Sequence, residues 1–148
     1  MNIPVRRTAT LVLLLLAVLP AFAGNTAGAQ KPIAVQMYTL RNAGPLDQQL
    51  KIVHDAGVRA VETVGTQNAS AVELKQLLDR YSIKAVSSHV QLAELRDNLD
   101  AVVAFNRSIG NSTLVVPYLD QKDRPHDAAG WTALGRELGR IARQVRGK

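Results

Sequence analysis

Residues 57–65, G-V-R-A-V-E-T-V-G, constrain the chain more than any other stretch, because they hold a helix stop, a short buried strand and a carboxylate at the strand's far end. A glycine after a helical pattern supplies the left-handed residue that ends a helix. Val58, Ala60, Val61, Thr63 and Val64 suit a short buried strand, and Glu62 is the misfit among them. The same grammar returns at 85–90 and at 113–119. The chain therefore reads as successive βα units, and the polar residues at their strand ends are where function is to be sought.

Residues 33–40, I-A-V-Q-M-Y-T-L, predict a first strand with Gln36 and Tyr38 on one alternate set and Val35, Met37 and Thr39 on the other. After the turn at Asn42-Ala43-Gly44-Pro45, in which proline suits a first helical position, Leu46, Leu50, Val53 and Ala56 follow at helical spacing until Gly57. Beyond the second strand, Ser70-Ala71-Val72-Glu73 is the pattern in which serine and glutamate satisfy each other's free N–H groups at a helix start. Leu74, Leu77, Leu78 and Tyr81 form that helix's buried stripe. The third strand leads into a single helix with Leu92, Leu95, Leu99, Val102 and Val103 on its apolar face, closed near Gly110. The fourth, T-L-V-V-P-Y-L, contains Pro117, which removes a ladder hydrogen bond and so belongs where the chain leaves the sheet. A charged loop over 120–127 precedes a last helix over 128–146, with Trp131, Leu134, Leu138, Ile141 and Val145 as its stripe.

The first 29 residues stand apart. Arg6 and Arg7 make a positive start, 11–19 is an unbroken apolar run, and Ala21-Phe22-Ala23 offers an A-x-A cleavage site. Ala27-Gly28-Ala29 offers a second, so the mature start is Gly24 or Gln30, and the ordered pattern beginning at Ile33 favours Gln30. The expected division is an export signal over 1–29 and one folded domain over 30–148, in a secreted or periplasmic protein. The apolar run falls short of the ~20 residues that span a bilayer, which speaks against a stable membrane anchor. The residues after Arg6-Arg7 match a twin-arginine signal poorly. With no cysteine, the exported domain must be stable through its core alone.

The formal charge of +6 falls to +4 once Arg6 and Arg7 leave with the signal. Seven basic residues follow Asp120, a possible patch for phosphate or nucleic acid. Arg136, Arg140 and Arg143, however, lie at helical spacing opposite Leu134, Leu138 and Ile141, as the solvated face of an amphipathic helix would. No run of interleaved stacking aromatics accompanies them, which argues against a nucleic-acid partner.

Helices between strands imply right-handed crossovers and parallel pairing. Two architectures are built this way, the open doubly wound sheet and the closed eight-fold barrel. No G-x-G-x-x-G follows the first strand, which weakens the dinucleotide-binding form of the open sheet. A barrel typically takes about 250 residues, and four units supply half of that.

At Gln36-Met37-Tyr38-Thr39-Leu40-Arg41, Gly57-Val58-Arg59-Ala60-Val61-Glu62, Ser87-Ser88-His89-Val90 and Val115-Val116-Pro117-Tyr118-Leu119, in that order, the chain resembles the N-terminal half of the sugar phosphate isomerase/epimerase family, whose members are xylose isomerase-like TIM barrels. The resemblance implies an α/β fold of parallel βα repeats, four units of a (β/α)8 barrel, or a half-barrel. It also implies a divalent metal (Mn²⁺, Mg²⁺ or Zn²⁺) and the movement of a proton or hydride between adjacent carbons of a sugar, sugar phosphate or cyclic polyol. In the family, the metal-binding glutamate, aspartate and histidine residues lie on second-half strands, often beginning with a His-Asn-His strand past the fourth helix. No such strand is present here. The expectation is an incomplete form, truncated after the fourth unit or completed by a second chain. The alternative is a non-catalytic half-barrel that binds a sugar or forms a homodimer. Kinship with metal-dependent endonucleases of the same superfamily supplies a third, weaker reading.

The resemblance carries over Glu62 and His89 as catalytic residues, with Gln36 and Tyr38 as substrate contacts. A buried carboxylate must be paired, metal-bound or at a wet mouth, so the alternative for Glu62 is a salt bridge to a lysine or arginine. Imidazole is both a common metal ligand and a hydrogen-bonding group, so the alternative for His89 is a core histidine satisfied by a carbonyl. A tyrosine ending a strand equally packs with its hydroxyl at the rim. Glu62 and His89 alone fall short of the three or four protein ligands usual for a metal. His54, beside Asp55 in a helix, reads as solvated, His126 as structural in its loop, and Trp131 as core rather than a sugar-stacking platform.

Overall fold

The order of the strands decides between the two architectures. In a computed structural model, which describes residues 33–146, β1 (Val35–Gln36), β2 (Ala60–Val64), β3 (Lys84–His89) and β4 (Leu114–Val115) form one parallel sheet in the order β1-β2-β3-β4. Neighbours in sequence are neighbours in space, with no reversal of the kind that defines a doubly wound sheet. The winding is that of a barrel. The expected export signal over 1–29 lies outside the described residues.

Helices α1 (Leu46–Asp55) and α2 (Ala71–Arg80) follow the first two strands. Pro45 precedes α1 and Gly57, at φ +80°, releases the chain from it. At the start of α2, Ser70 Oγ accepts from the Glu73 backbone N–H at 3.2 Å while the Glu73 carboxylate accepts from the Ser70 N–H at 2.9 Å. These bonds hold the Glu73 carboxyl below the usual carboxylate range. Leu50 and Val53 of α1 and Leu74 and Leu78 of α2 are buried against Val61 and Ala85 of the sheet, with Met37, Ile83 and Ile109 completing the core. Full burial of each such side chain contributes about 1.5–3 kcal/mol. In β2, Val61 and Thr63 lie buried on this side, so Ala60, Glu62 and Val64 occupy the other face of the sheet.

The third crossover differs from expectation. The single helix predicted after β3 is two, α3 (Leu92–Asp97) and α4 (Leu99–Ser108), because Asn98 at φ −133° breaks the ladder. Its backbone N–H closes α3 on the Glu94 carbonyl, and its side chain donates to the Glu94 carboxylate at 3.2 Å. The last helix, α5 (Ala128–Arg146), is tied to α3 through Arg96. That guanidinium donates to both carboxylate oxygens of Glu137, at 2.7 and 2.9 Å, and to Asp123 at 2.6 Å. Arg96 holds the Glu137 carboxyl below its ordinary range and is itself made harder to deprotonate.

Other expectations need correction. The first and fourth strands are shorter than predicted. The chain leaves β1 in a 3₁₀ turn at Met37–Leu40, which drops Met37 into the core and leaves Tyr38 exposed. β4 ends two residues before Pro117, which has no N–H to continue the ladder. His54 is half-buried rather than solvated, its Nδ1 2.8 Å from the Tyr81 carbonyl and its ring against the Tyr81 ring. Trp131 is 54% exposed rather than core. Of the stripe predicted on α5, only Leu134 is buried. Arg136, Arg140 and Arg143 are exposed, as a solvated face requires.

Candidate functional site

Four polar side chains from three neighbouring strands meet on the sheet face opposite the helices: Gln36 and His89 end β1 and β3, Ser87 lies two residues before His89, and Glu62, expected at the far end of its strand, stands midway along β2. Gln36 stands in register with Glu62, and Val64 with His89. His89 Nε2 lies 2.7 Å from Glu62 Oε1, Gln36 Nε2 lies 3.3 Å from His89 Nδ1, and Ser87 Oγ donates to Glu62 Oε2 at 2.6 Å. The side chains of His89 and Glu62 are 16% and 22% exposed, shielded but within reach of a ligand. Glu62 is therefore paired, with a histidine and a serine rather than the lysine or arginine considered as its alternative. His89 is satisfied by side chains, not by a carbonyl.

The bonds run in one direction. With the Gln36 amide donating to Nδ1, the imidazole carries its proton on Nε2 and donates it to Glu62, which also accepts from Ser87. Placing a second proton on Nδ1 requires Gln36 to turn its amide so that oxygen faces the ring.

A single extra residue brings this array together. β2 and β3 pair as Val61 with Ala85 and then Glu62 with Ser87, so Val86 bulges from the ladder. Were Val86 paired in an unbroken ladder instead, Glu62 would stand beside it, and His89 would fall in phase with Thr63, on the helix-covered face. Sequence reasoning missed Ser87 as a partner of Glu62 for this reason, since strict alternation places the two on opposite faces.

His89 also lines a cavity of about 750 Å³ at the carboxyl ends of β1, β2 and β3. Its wall includes Tyr38, Arg41, Asn68 and Glu94, none of them in the array, while Glu62 and Gln36 lie outside it. His89 is the shared member. Tyr38, the remaining predicted site residue, is thus placed at the cavity and not with Gln36; the Arg41 guanidinium lies 4.1 Å over its ring. The β2-to-α2 loop on this wall is held in left-handed conformations at Gly65, Gln67 and Asn68, with φ of 53°, 56° and 55°. For Gln67 such a conformation costs about 1 kcal/mol, and its side-chain nitrogen is buried with no hydrogen-bond partner among the described residues. Strain of this kind collects at ligand sites.

Fold and site together define a class: half of a parallel βα barrel with a hydrogen-bonded polar array where barrel enzymes place their chemistry. The solved structures it is similar to make that class more specific. A xylose isomerase domain containing protein from Salmonella typhimurium LT2 matches with a TM-score of 0.56 and 13% identity, over 76% of this chain and 46% of that one. A sugar phosphate isomerase/epimerase from Parabacteroides distasonis ATCC 8503 matches with a TM-score of 0.56 and 19% identity, over 86% and 53%. A xylose isomerase-like TIM barrel/4-hydroxyphenylpyruvate dioxygenase fusion protein matches with a TM-score of 0.56 and 18% identity, over 76% and 21%. No protein-family model and no curated protein sequence matches the chain. The fold is that of a partial xylose isomerase-like TIM barrel, as the sequence resemblance implied, and the chain spans about half the length of the two isomerase-like structures.

Proposed function

We propose that the Gln36–His89–Glu62–Ser87 array is the sugar- or polyol-binding wall of an isomerase- or epimerase-type site. The observation that carries this reading is the array itself, in which a carboxylate midway along β2 is aligned with an imidazole and an amide at the carboxyl ends of the adjacent strands, beside a cavity. Amide, carboxylate and guanidinium groups on that cavity, from Asn68, Glu94, Asn98 and Arg41, offer both donors and acceptors to hydroxyls, and Val90, Val102 and Phe105 supply an apolar floor. Glu62 accepts a substrate hydroxyl proton, and His89 holds a proton at Nε2 that can be given to a substrate oxygen in its place. Ser87 fixes the carboxylate and Gln36 the ring. The pattern of residues 1–29 supports a secreted or periplasmic location.

The resemblance implies Mn²⁺, Mg²⁺ or Zn²⁺. Among the described residues no three histidine, aspartate or glutamate side chains gather in a set that could hold such an ion. Glu62 and His89 are two, and each is engaged by the other. By themselves these residues do not fit a metal site, and their part is to bind and orient. A second reading is a half-barrel that binds a sugar without turnover or pairs with its own copy; its support is that, among the described residues, β1 and β4 each pair on one side only.

Calorimetric titration of sugars, sugar phosphates and cyclic polyols, with and without each metal, tests the proposal. Glu62→Gln or His89→Asn is expected to weaken binding about tenfold or more, the loss of one hydrogen bond to a charged group, without changing the circular dichroism spectrum. Metal-dependent interconversion in an isomerase assay would exclude the binding-only reading. A folded protein that binds none of these compounds overturns the isomerase and the sugar-binding readings alike.

A further inference from the structure

We propose that the ligand is a glycoside of at least two sugar units, the first ring at the His89 cavity and the second in a cavity beside it. This rests on the sugar-binding reading and extends it to the length of the ligand. The second cavity, of about 500 Å³, lies between the start of α1 and the β2-to-α2 loop, and its lining falls between Arg41 and Leu77, in the interior of the sequence. Its size is within the range of small-molecule sites. The two cavities share Arg41, Gln67 and Asn68. Arg41 and Asn68 are exposed, so the boundary is polar and open to solvent, and one ligand can lie across it.

Two orphaned amide atoms give the second cavity its chemistry. Gln49 is only 9% exposed. Its Nε2 donates to the Gly44 carbonyl at 2.8 Å, which fixes the amide's orientation, and its Oε1 is buried with no hydrogen-bond partner among the described residues. Gln67 Nε2 is buried and unpartnered in the same way, and both glutamines line this cavity. An acceptor and a donor buried without partners weigh against the fold, and a group that both donates and accepts relieves both. A hydroxyl is such a group, and a sugar ring carries several on adjacent carbons. Leu46, Ala69 and Leu77 offer apolar surface to the C–H faces of the ring. Arg41 and Glu73 stand on the same lining, and hydrogen bonds from Ser70 hold the Glu73 carboxyl below the usual range and therefore ionised. The two charges offset each other, so the cavity suits a neutral ring better than a phosphate.

Calorimetric titration of the full chain with glucose, galactose and xylose, each against a disaccharide that contains it (cellobiose, lactose and xylobiose), tests the proposal. A disaccharide is expected to bind about tenfold or more tightly than its monosaccharide, the gain of at least one buried hydrogen bond. Gln49→Met, which keeps the length of the side chain without its amide, should bring disaccharide affinity down to that of the monosaccharide and leave the monosaccharide's own affinity unchanged. Glu62→Gln should weaken both. Should Gln49→Met fail to fold, the side-chain amide resonances of the wild-type protein serve instead: the Gln49 NH₂ pair should shift with the disaccharide and not with the monosaccharide. A monosaccharide that binds through Glu62, with no gain for the disaccharide, overturns the proposal and leaves the sugar-binding reading standing; this is the result if water alone satisfies the two amides. A gain that survives Gln49→Met, or that leaves the Gln49 resonances unmoved, places the second unit elsewhere and overturns the proposal too. A folded protein that binds no sugar at all overturns it together with the reading it rests on.

Discussion

Replacing Glu62 and His89 by leucine, singly and together, measures whether the pair at the heart of the site is as coupled as its geometry requires. The contact is 2.7 Å, between side chains 22% and 16% exposed. Fully exposed ion pairs contribute 0–1 kcal/mol and hydrogen bonds to a charged group about 1.5–3 kcal/mol, so a shielded but open contact of this length should couple by about 1.5 kcal/mol. The single variants are a poor guide. Glu62→Leu strips the acceptor from both Ser87 and His89, yet on the bare face of the sheet water takes over part of that role. The cycle removes such terms and leaves the pair. Urea unfolding followed by circular dichroism at neutral pH is the assay. With a denaturant slope of about 1.5 kcal/mol per molar, the coupling corresponds to about 1 M in the summed midpoints. An interaction energy below about 0.3 kcal/mol, the level at which distant sites are additive, would refute the claim that these groups are bonded.

Three other perturbations test the frame that holds the site. Gly57→Ala meets no atom within 4 Å but sits at φ +80°, so its expected cost of about 1 kcal/mol is purely conformational and should appear in the urea midpoint. Leu78→Ala, deep in the α2 contact with the sheet, should cost about 3 kcal/mol by the same assay. Arg96→Ala should cost about 1 kcal/mol at neutral pH, discounted for an ion pair still a third exposed on the arginine side. Because Arg96 depresses the Glu137 carboxyl, that contribution is present above the ordinary carboxylate range and is lost as pH falls through the folded-state value. Melting temperatures over an acid series should therefore converge between wild type and Arg96→Ala at the low end.

The alternation of helix stops and apolar runs was enough to read the strand and helix order, because each boundary has its own local chemistry: Gly57 beyond α1, Ser70 and Glu73 at α2, Pro117 past β4. Gln36, Glu62 and His89 stood out because each interrupts or ends an apolar run, which is also why they meet. What was not legible depends on contacts between segments. Nothing local reveals that Met37 turns inward and carries Tyr38 away from Gln36. Asn98 splits a helix whose apolar spacing runs on past it. His54 and Trp131 were assigned by the face they occupy, but a face does not say what lies against it. His54 has Tyr81 there, and Trp131 is exposed.

The bulge at Val86 makes the chemistry of this sheet a matter of counting. Any residue content with an extended, half-open position could stand there, and its loss would only straighten the ladder, since Ser87 would still stand opposite Glu62 and His89 opposite Val64. Removing one position after the bulge, such as Ser88, would instead leave the composition and hydrophobic spacing of the domain almost untouched while rotating the later side chains of β3 by half a turn, with His89 set opposite Thr63. A chain so shortened could still pack its helices and yet have turned its histidine away from its glutamate, which makes insertion and deletion, more than substitution, the changes to which this site is most sensitive.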